Sequence, residues 1–291
     1  MDVLAIHVIN ALLYASVLFL IAGGLSLIYG VMRIVNLAHG NFYAFGAYVT
    51  AWVVGTVAAG APTAVLMAIV PAGAVAAAGA GALLEPTLLR PFYKRAEEYQ
   101  LLVTFGLLMV IDDVIRFLWG PYPLSASVIF ENFGSLSIGD SIYPTYNFLV
   151  IAVGMLAAVF LWAVVYKTRF GVVLRATSQN MRMASALGVN VNRVYVQAFT
   201  LGCFMAGLGG AIIVPSQSAV LGMGVDALIL AFIVVVIGGL GSLEGALVGA
   251  LIVGFVREAG IAWFPEIELA VLYLIAALVL LARPAGLFGR P

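Results

Sequence analysis

Charged side chains interrupt two apolar stretches of this chain. Asp112, Asp113 and Arg116 lie in one stretch, and Arg257 and Glu258 lie in the other. Ionisable groups inside hydrocarbon are costly and often mark a proton relay or an ion path. The alternative is local neutralisation, because Asp112 and Arg116 stand four residues apart on one helical face and Arg257 can extend towards water near a membrane surface. The spacing favours neutralisation.

A group of polar and small residues follows the first long apolar run: Asn36, His39, Gly40 and Asn41. Discontinuous helices with free backbone groups build substrate sites in transporters, so this group predicts a helix break beside a translocation pathway. The simpler interpretation is a tight turn in which these side chains cap two helices. The residue types favour capping for each side chain, and the break is expected under both interpretations.

A glycine-rich run, Gly238 to Gly245, separates two short apolar segments. Glycine permits either close helix packing or a strained turn, so the run predicts a broken or re-entrant helix pair. Gly238, Gly239, Gly241 and Ser242 are therefore candidates for the pathway. The run is not a nucleotide-binding loop, because no Gly-Lys-Ser/Thr sequence follows it.

The sequence shows no arrangement typical of catalysis. It has no suggestive carboxylate pair, no His/Cys cluster with metal-ligand spacing and no Ser/His/Asp set. It also lacks a Walker motif, so any ATP that drives this protein must be bound by another subunit. We expect no catalytic residue, no metal site, no enzyme activity and no nucleic-acid partner for this chain.

A basic loop at residues 167–193 contains five of the thirteen Lys and Arg residues of the chain. Apolar segments flank it on both sides, so its positive charge places it on the cytoplasmic face of a membrane. Residues 176–187 within it predict a short amphipathic helix. We expect an apolar face of Met181, Ala184 and Leu187, exposed Gln179, Asn180 and Arg182, and a stop at Gly188. Such a helix either lies on anionic head groups or docks a cytoplasmic partner.

The elements that must position these residues are membrane helices. Hydrophobic residues make up 64% of the chain and charged residues only 9%, against about a quarter charged in soluble domains. The apolar runs have helical length and lack the alternation of a membrane barrel. We predict an all-α polytopic membrane protein with broken or re-entrant segments, about eight transmembrane helices of roughly 20 residues, and a single transmembrane permease domain over 1–291.

The distribution of charge predicts the topology. The segments at 90–95, 167–193 and 283–290 are basic, whereas the loop at 120–143 carries only the acidic Glu131 and Asp140. The positive-inside rule then places the N-terminus outside and the C-terminus in the cytoplasm. The first run is too long for a signal-peptide core, so we expect an uncleaved first helix. The predicted spans, one of them extra or incomplete, are 7–31, 38–57, 63–89, 101–119, 145–166, 194–215, 227–237, a segment from the glycine run to Val256, and 267–281.

Four segments, in order along nearly the whole chain, resemble the permeases of branched-chain amino-acid ABC importers, the LivH and LivM type. They are Asn36-Leu37-Ala38-His39-Gly40, Met183 to Asn190, Gly238 to Ala246 and Pro284 to Pro291. The length and ending are more similar to LivH. One departure is Asn41, which stands where the family motif has an acidic residue.

The resemblance implies an ABC importer permease of the LivH/ribose-permease type in the bacterial inner membrane. It would pair with a second homologous permease, two cytoplasmic ATP-binding subunits that hold ATP and Mg, and a periplasmic solute-binding protein. The chain would lie in the lipid bilayer, and its cytoplasmic coupling loop would contact an ATPase. Its residues would be Thr177, Ser178, Gln179, Asn180, Arg182, Met183, Ala184, Leu187 and Gly188.

Two classes of function remain open at this point. The first is the ATP-driven import of branched-chain or related amino acids, with urea, amides or aromatic acids as substrates of the same class. The second is a self-contained secondary transporter or channel that uses the broken helices and the charges at Asp112, Asp113 and Arg116.

Overall fold

The computed structural model describes residues 2–57, 61–139, 141–263 and 265–289. The chain is almost wholly helical. The helices are α1 Asp2–Met32, α2 His39–Val57, α3 Thr63–Ile69, α4 Pro71–Leu84, α5 Glu97–Trp119, α6 Ser127–Asn132, α7 Tyr146–Lys167, α8 Arg169–Gln179, α9 Met181–Ala186, α10 Val191–Ile213, α11 Met223–Gly238, α12 Leu243–Trp263 and α13 Glu268–Ala282. A π-helical turn, Glu85–Leu89, and a 3-10 turn, Arg90–Phe92, follow α4.

The helices coincide closely with the predicted spans, because long apolar runs determine which segments can cross a membrane. Within the described residues, five helical stretches are long and apolar enough to cross a bilayer. Helix α5 also has spanning length, at 23 residues, but it carries Asp112, Asp113 and Arg116. The chain is therefore an integral membrane protein.

One predicted boundary is wrong. We expected Arg257 and Glu258 to end a span near Val256, but α12 continues to Trp263. Glu258 is buried and accepts hydrogen bonds from His7 Nδ1 at 2.8 Å and Asn10 Nδ2 at 3.1 Å. The guanidinium of Arg257 lies 4.5 Å from the Tyr14 ring centroid. Because the neighbouring helix supplies partners for both side chains, the charges do not terminate the helix.

Helix α2 packs against four other long helices, α10, α11, α4 and α5. It packs against α10 where Gly46 meets Gly207 so closely that a methyl group on Gly46 would overlap the Gly207 backbone. It meets the start of α11 at an equally close contact between Gly40 and the Gly224 carbonyl. Small residues at these points let the helix axes approach, which is the usual basis of helix packing in membranes.

The bundle has two distinct ends. At the first, which we call the hairpin end, Tyr143 donates to Asn10 Oδ1 at 2.8 Å, close to the start of α1. At the other, the loop end, the backbone N–H of Phe288 in the C-terminal segment donates to the Gly238 carbonyl at 2.9 Å. Helices α8 and α9 also lie at the loop end. The N-terminal part of α1 and the C-terminal segment are thus at opposite ends of the molecule.

A small hairpin was not predicted. Strands β1 Ser135–Ile138 and β2 Ser141–Pro144 pair antiparallel, with Leu136 opposite Tyr143. Asp140, which we expected in an outer loop, lies outside the described residues. A signal for this hairpin was present, because alternating Ser and aliphatic residues flank a Gly-Asp pair.

Candidate functional site

The basic loop folds as two short helices rather than one. The predicted helix over 176–187 is wrong in its continuity, because α8 ends at Gln179 and α9 begins at Met181. Asn180 between them has an extended backbone, and its Oδ1 accepts a hydrogen bond from the Met183 N–H at 2.9 Å. Asparagine is a strong helix N-cap, so it favours starting a new helix over continuing the old one.

Helix α9 presents apolar side chains to solvent. Met181 is 50% exposed, Met183 is 58% exposed and Leu187 is 79% exposed. Of the predicted apolar face, only Ala184 is buried. Gln179, Asn180 and Arg182 are exposed, as expected. The end of α9 is followed by Gly188, which has a φ of +86° and thus the left-handed backbone that favours glycine.

Two residues predicted for the coupling loop turn inwards instead. Thr177 is 2% exposed, and its hydroxyl donates to the Val173 carbonyl at 2.8 Å. The Ser178 hydroxyl donates to the Arg175 carbonyl at 2.9 Å. Both side chains therefore bond to the backbone of α8, and Thr177 has almost no surface for a partner.

The connection between α7 and α8 is closely held. Arg175 donates from Nη1 to the Val165 carbonyl, and its guanidinium lies 5.2 Å from the Tyr166 ring centroid. The Thr168 hydroxyl caps α8 by accepting from the Gly171 N–H at 3.1 Å. Side-chain bonds as well as the chain itself therefore hold α8 against the end of α7.

A chain of side chains links α9 to the π-helical turn. The Tyr195 hydroxyl lies 3.1 Å from Met181 Sδ, and its ring packs edge-on to that of Tyr93 at 5.4 Å. The Tyr93 hydroxyl donates to Glu85 at 2.7 Å, and Arg90 donates to the other Glu85 oxygen at 2.7 Å. Burial is the main cause that raises the pKa of Tyr93, and the hydrogen bond to Glu85 adds to it.

Glu85, Tyr93 and Tyr195 were not predicted as functional residues. The available signal was Glu85 itself, an acidic residue directly before Pro86 at the end of an apolar run. Since a buried carboxylate requires partners, this position predicts nearby donors, although not which residues supply them.

A cavity of about 610 Å³ lies at the loop end. Its walls come from α1, α7, α8 and the turn between α11 and α12, and Arg33, Arg175, Gln179 and Glu244 contribute charged and polar groups. Two of the predicted pathway residues, Gly241 and Ser242, also line it. The Ser242 carbonyl accepts a hydrogen bond from the Ser26 hydroxyl at 2.9 Å.

The glycine run forms a tight turn rather than a midplane break. Gly239 and Gly241 have φ values of +107° and +79°, and the Ser242 hydroxyl accepts from the Gly245 N–H at 3.0 Å to cap α12. Gly238 at the end of α11 is fourteen residues from Gly224 near its start, about 21 Å along the axis. The structure therefore does not bring this run together with Asn36, His39, Gly40 and Asn41.

The predicted break before α2 is present and lies inside the bundle. Residues 33–38 are not helical, and the Nε2 of His39 lies 3.0 Å from the Ile21 carbonyl of α1. Ile21 precedes the end of α1 at Met32 by eleven residues, or about 16 Å. Helix α2 thus begins deep in the bundle, and the N-termini of α2 and α11 meet there.

The polar side chains at this break are closed off from solvent. Asn36, His39 and Asn41 are each no more than 1% exposed. Asn36 Oδ1 accepts from the Ala38 N–H at 3.1 Å, and Asn41 Nδ2 donates to the Leu108 carbonyl at 2.6 Å. Only the Asn36 bond, to the backbone just before α2, is of the capping kind, because Asn41 and His39 bond to carbonyls within α5 and α1. The role of the residues in a pathway stays a prediction.

The chain matches a known protein family over almost its whole length. The family described as "Branched-chain amino acid transport system / permease component" matches residues 7–282. The chain belongs to this permease family. Within the described residues, no three His, Cys, Asp or Glu side chains are grouped to hold a metal ion.

Members of the permease family with full-length similarity include two named amino-acid permeases. LivH from Salmonella typhimurium, a high-affinity branched-chain amino acid transport system permease protein, is 29% identical over 97% of this chain and 94% of its own length. BraD from Pseudomonas aeruginosa, a protein of the same description, is 27% identical over 98% of this chain and 95% of its own. The fructose import permease protein FrcC from Rhizobium meliloti is 31% identical over 60% of this chain and 49% of its own.

Proposed function

We propose that this chain is the permease subunit of an ATP-binding-cassette importer for branched-chain or related amino acids. The single observation that carries the coupling role is the exposure of Met181 and Met183 on α9 and of Leu187 directly after it. The full-length similarity to LivH and BraD supports the substrate class, whereas the similarity to FrcC covers a smaller part of the chain.

The subunit works with separate proteins, because the chain has no nucleotide-binding motif of its own. It pairs with a second homologous permease, two cytoplasmic ATPases that bind ATP and Mg, and a periplasmic solute-binding protein. The whole of 1–291 serves as one permease domain in the bacterial inner membrane, and no step of catalysis takes place on it.

The loop end faces the cytoplasm. The loop at residues 167–193 carries Lys167, Arg169, Arg175, Arg182 and Arg193, and basic loops are retained on the cytoplasmic side. The C-terminal segment at the same end is therefore cytoplasmic as well. The hairpin end and the start of α1 face the periplasm, where a solute-binding protein delivers its ligand.

Coupling follows from how α8 and α9 are held. An ATPase that covers the exposed face of α9 moves it together with α8 as the ATPase opens and closes. The Arg175 bond transmits this motion to α7, and the Met181 to Tyr195 contact transmits it to α10. Since α10 packs on α2, the movement alternates access through the membrane.

A variant of the exposed face tests this proposal. Leu187→Asp places a charge on the surface that an ATPase must cover, so substrate-stimulated ATPase activity of the purified complex should fall by about tenfold or more, the equivalent of ~1.4 kcal/mol. Tyr122→Asp is the matched control for basal ATPase activity, measured in parallel without the solute-binding protein, because Tyr122 is 78% exposed at the opposite, hairpin end. Unchanged ATPase activity in the Leu187 variant would count against docking at α9.

A further inference from the structure

The cavity at the loop end carries both signs of charge. Arg33, directly after α1, and Glu244, in the first turn of α12, line it, and both residues are exposed. The two ion pairs among the described residues include neither of them. A cation and an anion are therefore both available to a ligand in one cavity of about 610 Å³, a volume within the range of about 300–1,000 Å³ that is typical of small-molecule sites.

The two charges belong to walls that touch each other. A Cβ atom added at Gly30 of α1 would lie only 3.0 Å from the carbonyl oxygen of Gly241, in the turn before α12. Arg33 follows Gly30 by three residues, and Glu244 follows Gly241 by three residues. The glycine contact therefore brings the two charged residues to the same part of the cavity, each on its own wall.

The backbone at Arg33 is unusual. Its φ is +56°, and its N–H donates to the Tyr29 carbonyl at 2.9 Å, so it ends α1 in the left-handed conformation. Glycine is the common residue at such a helix end. An arginine takes this conformation at a cost, and strained residues of this kind cluster at ligand sites. The strain is consistent with a role for the Arg33 side chain in the cavity.

The rest of the cavity wall is partly aliphatic. Leu27, Val31, Leu174 and Leu240 line it. A molecule with a carboxylate, an ammonium group and an aliphatic side chain matches this combination. The carboxylate pairs with the guanidinium of Arg33, the ammonium group pairs with the Glu244 carboxylate, and the side chain packs on the aliphatic wall. An inorganic anion would use the arginine alone and would be repelled by Glu244.

We propose that this cavity binds a free aliphatic amino acid from the cytoplasm, the same class of molecule that the importer delivers. The proposal rests on the proposed function, which supplies the solute and places the loop end in the cytoplasm. Helix α8 forms one wall through Leu174 and Ser178. A bound amino acid thus holds α8 against α1 and α12, and accumulated product opposes the movement of α8 that coupling requires.

Equilibrium binding of radiolabelled leucine to the purified complex of permeases and ATPases, without the solute-binding protein, tests the site. Arg33→Gln and Glu244→Gln should each weaken the affinity by about tenfold or more, because each removes a charge-assisted hydrogen bond. Arg95→Gln and Glu98→Gln are the matched controls, because both side chains are exposed near Tyr93 at the loop end but do not line the cavity. Absence of leucine binding to the unmodified complex, or unchanged affinity in both cavity variants, overturns the proposal.

Ligand analogues test the same contacts without altering the protein. Leucinamide lacks the carboxylate and isocaproate lacks the ammonium group, so each should bind the unmodified complex about tenfold more weakly than leucine, or worse. Arg33→Gln should leave the affinity for leucinamide unchanged, because that ligand has no carboxylate for the guanidinium. Analogues that bind as tightly as leucine contradict the assignment of the two charges.

Regulation is measured in proteoliposomes that contain the solute-binding protein and leucine in the lumen and receive ATP outside, where the ATPases of inside-out complexes lie. Leucine added outside should lower the ATPase activity of the unmodified complex and should not lower that of Glu244→Gln. Equal inhibition of the two complexes, or inhibition of neither, contradicts regulation through this cavity.

The proposed function is judged separately in the same proteoliposomes. ATP-driven uptake of leucine by the unmodified complex supports the importer, whatever the binding experiments show. If uptake proceeds and both cavity variants bind leucine normally, only the assignment of the cavity fails. A complex that contains no ATPase and shows no ATP-driven uptake counts against the importer itself.

Discussion

Glu85 lies fully buried at the start of the π-helical turn and depends on two donors. Arg90 and Tyr93 each contact one of its oxygens at 2.7 Å. A buried carboxylate that loses a hydrogen-bond partner retains its desolvation cost without the compensating interaction. The site therefore connects the stability of α4 to the orientation of Tyr93, whose ring contacts Tyr195.

Tyr93→Phe should lower the free energy of unfolding by about 1.5–3 kcal/mol at neutral pH, because it removes a hydrogen bond to a charged group and retains the ring packing. Thermal unfolding in detergent measures the effect. Tyr99→Phe is the matched control, since Tyr99 is 56% exposed in the first turn of α5. Equal melting temperatures for the two variants would contradict the role given to the Glu85 bond.

The same variant has a pH dependence of defined sign. The folded state raises the pKa of Tyr93 above its ordinary value of 10.0, so the folded chain holds this proton more tightly than the unfolded chain. The stabilisation from Tyr93 is fully present below pH 10 and is lost as the pH rises further. The melting temperature of the unmodified chain should therefore fall more steeply above pH 10 than that of Tyr93→Phe.

At the scale of elements, the packing of α2 against α10 depends on the absence of side chains. A methyl group on Gly46 would overlap the backbone of Gly207, which cannot move without a shift of α10. Helix α10 also carries Tyr195, which contacts α9. In the coupling that we propose, the spacing of these two helices is part of the route from α9 to the bundle core.

Gly46→Ala should destabilise the chain by about 1–3 kcal/mol, the range for overpacked cores. Gly55→Ala is a control on the same helix, because an added Cβ there meets no atom within 4 Å. That variant should be neutral or stabilising by up to about 1 kcal/mol, the helix-propensity gain of Ala over Gly. Comparable melting temperatures for the two variants would contradict the tight packing of α2 against α10 at Gly46.

The bounds of the elements were largely predictable, and their interruptions were less so. Apolar run length located the helix that we expected at 145–166 and that the structure gives as Tyr146–Lys167. The sequence did not predict the end of α8 at Gln179, because amphipathic periodicity continues through Asn180 and the capping bond decides the break. Nor did it predict that α12 passes Glu258, since the partners His7 and Asn10 are about 250 residues away in the chain.

At the scale of the whole molecule, the two ends of the bundle carry different chemistry. The loop end has the basic loop, the exposed face of α9 and the cavity, and the hairpin end has the pair of strands and the His7 to Glu258 contact. The candidate site was predictable as a region, because charge and motif order marked residues 167–193. Which of its residues point outwards required the structure, as Thr177 and Met183 show.

The most direct test of the account is the set of proteins that purify with the tagged chain from its native membrane in mild detergent. Mass spectrometry should identify two ATPase subunits and a second permease, because we propose α9 as a coupling surface and the sequence has no nucleotide-binding motif. A chain that purifies alone and transports its solute in liposomes under an ion gradient, without ATP, would contradict the account.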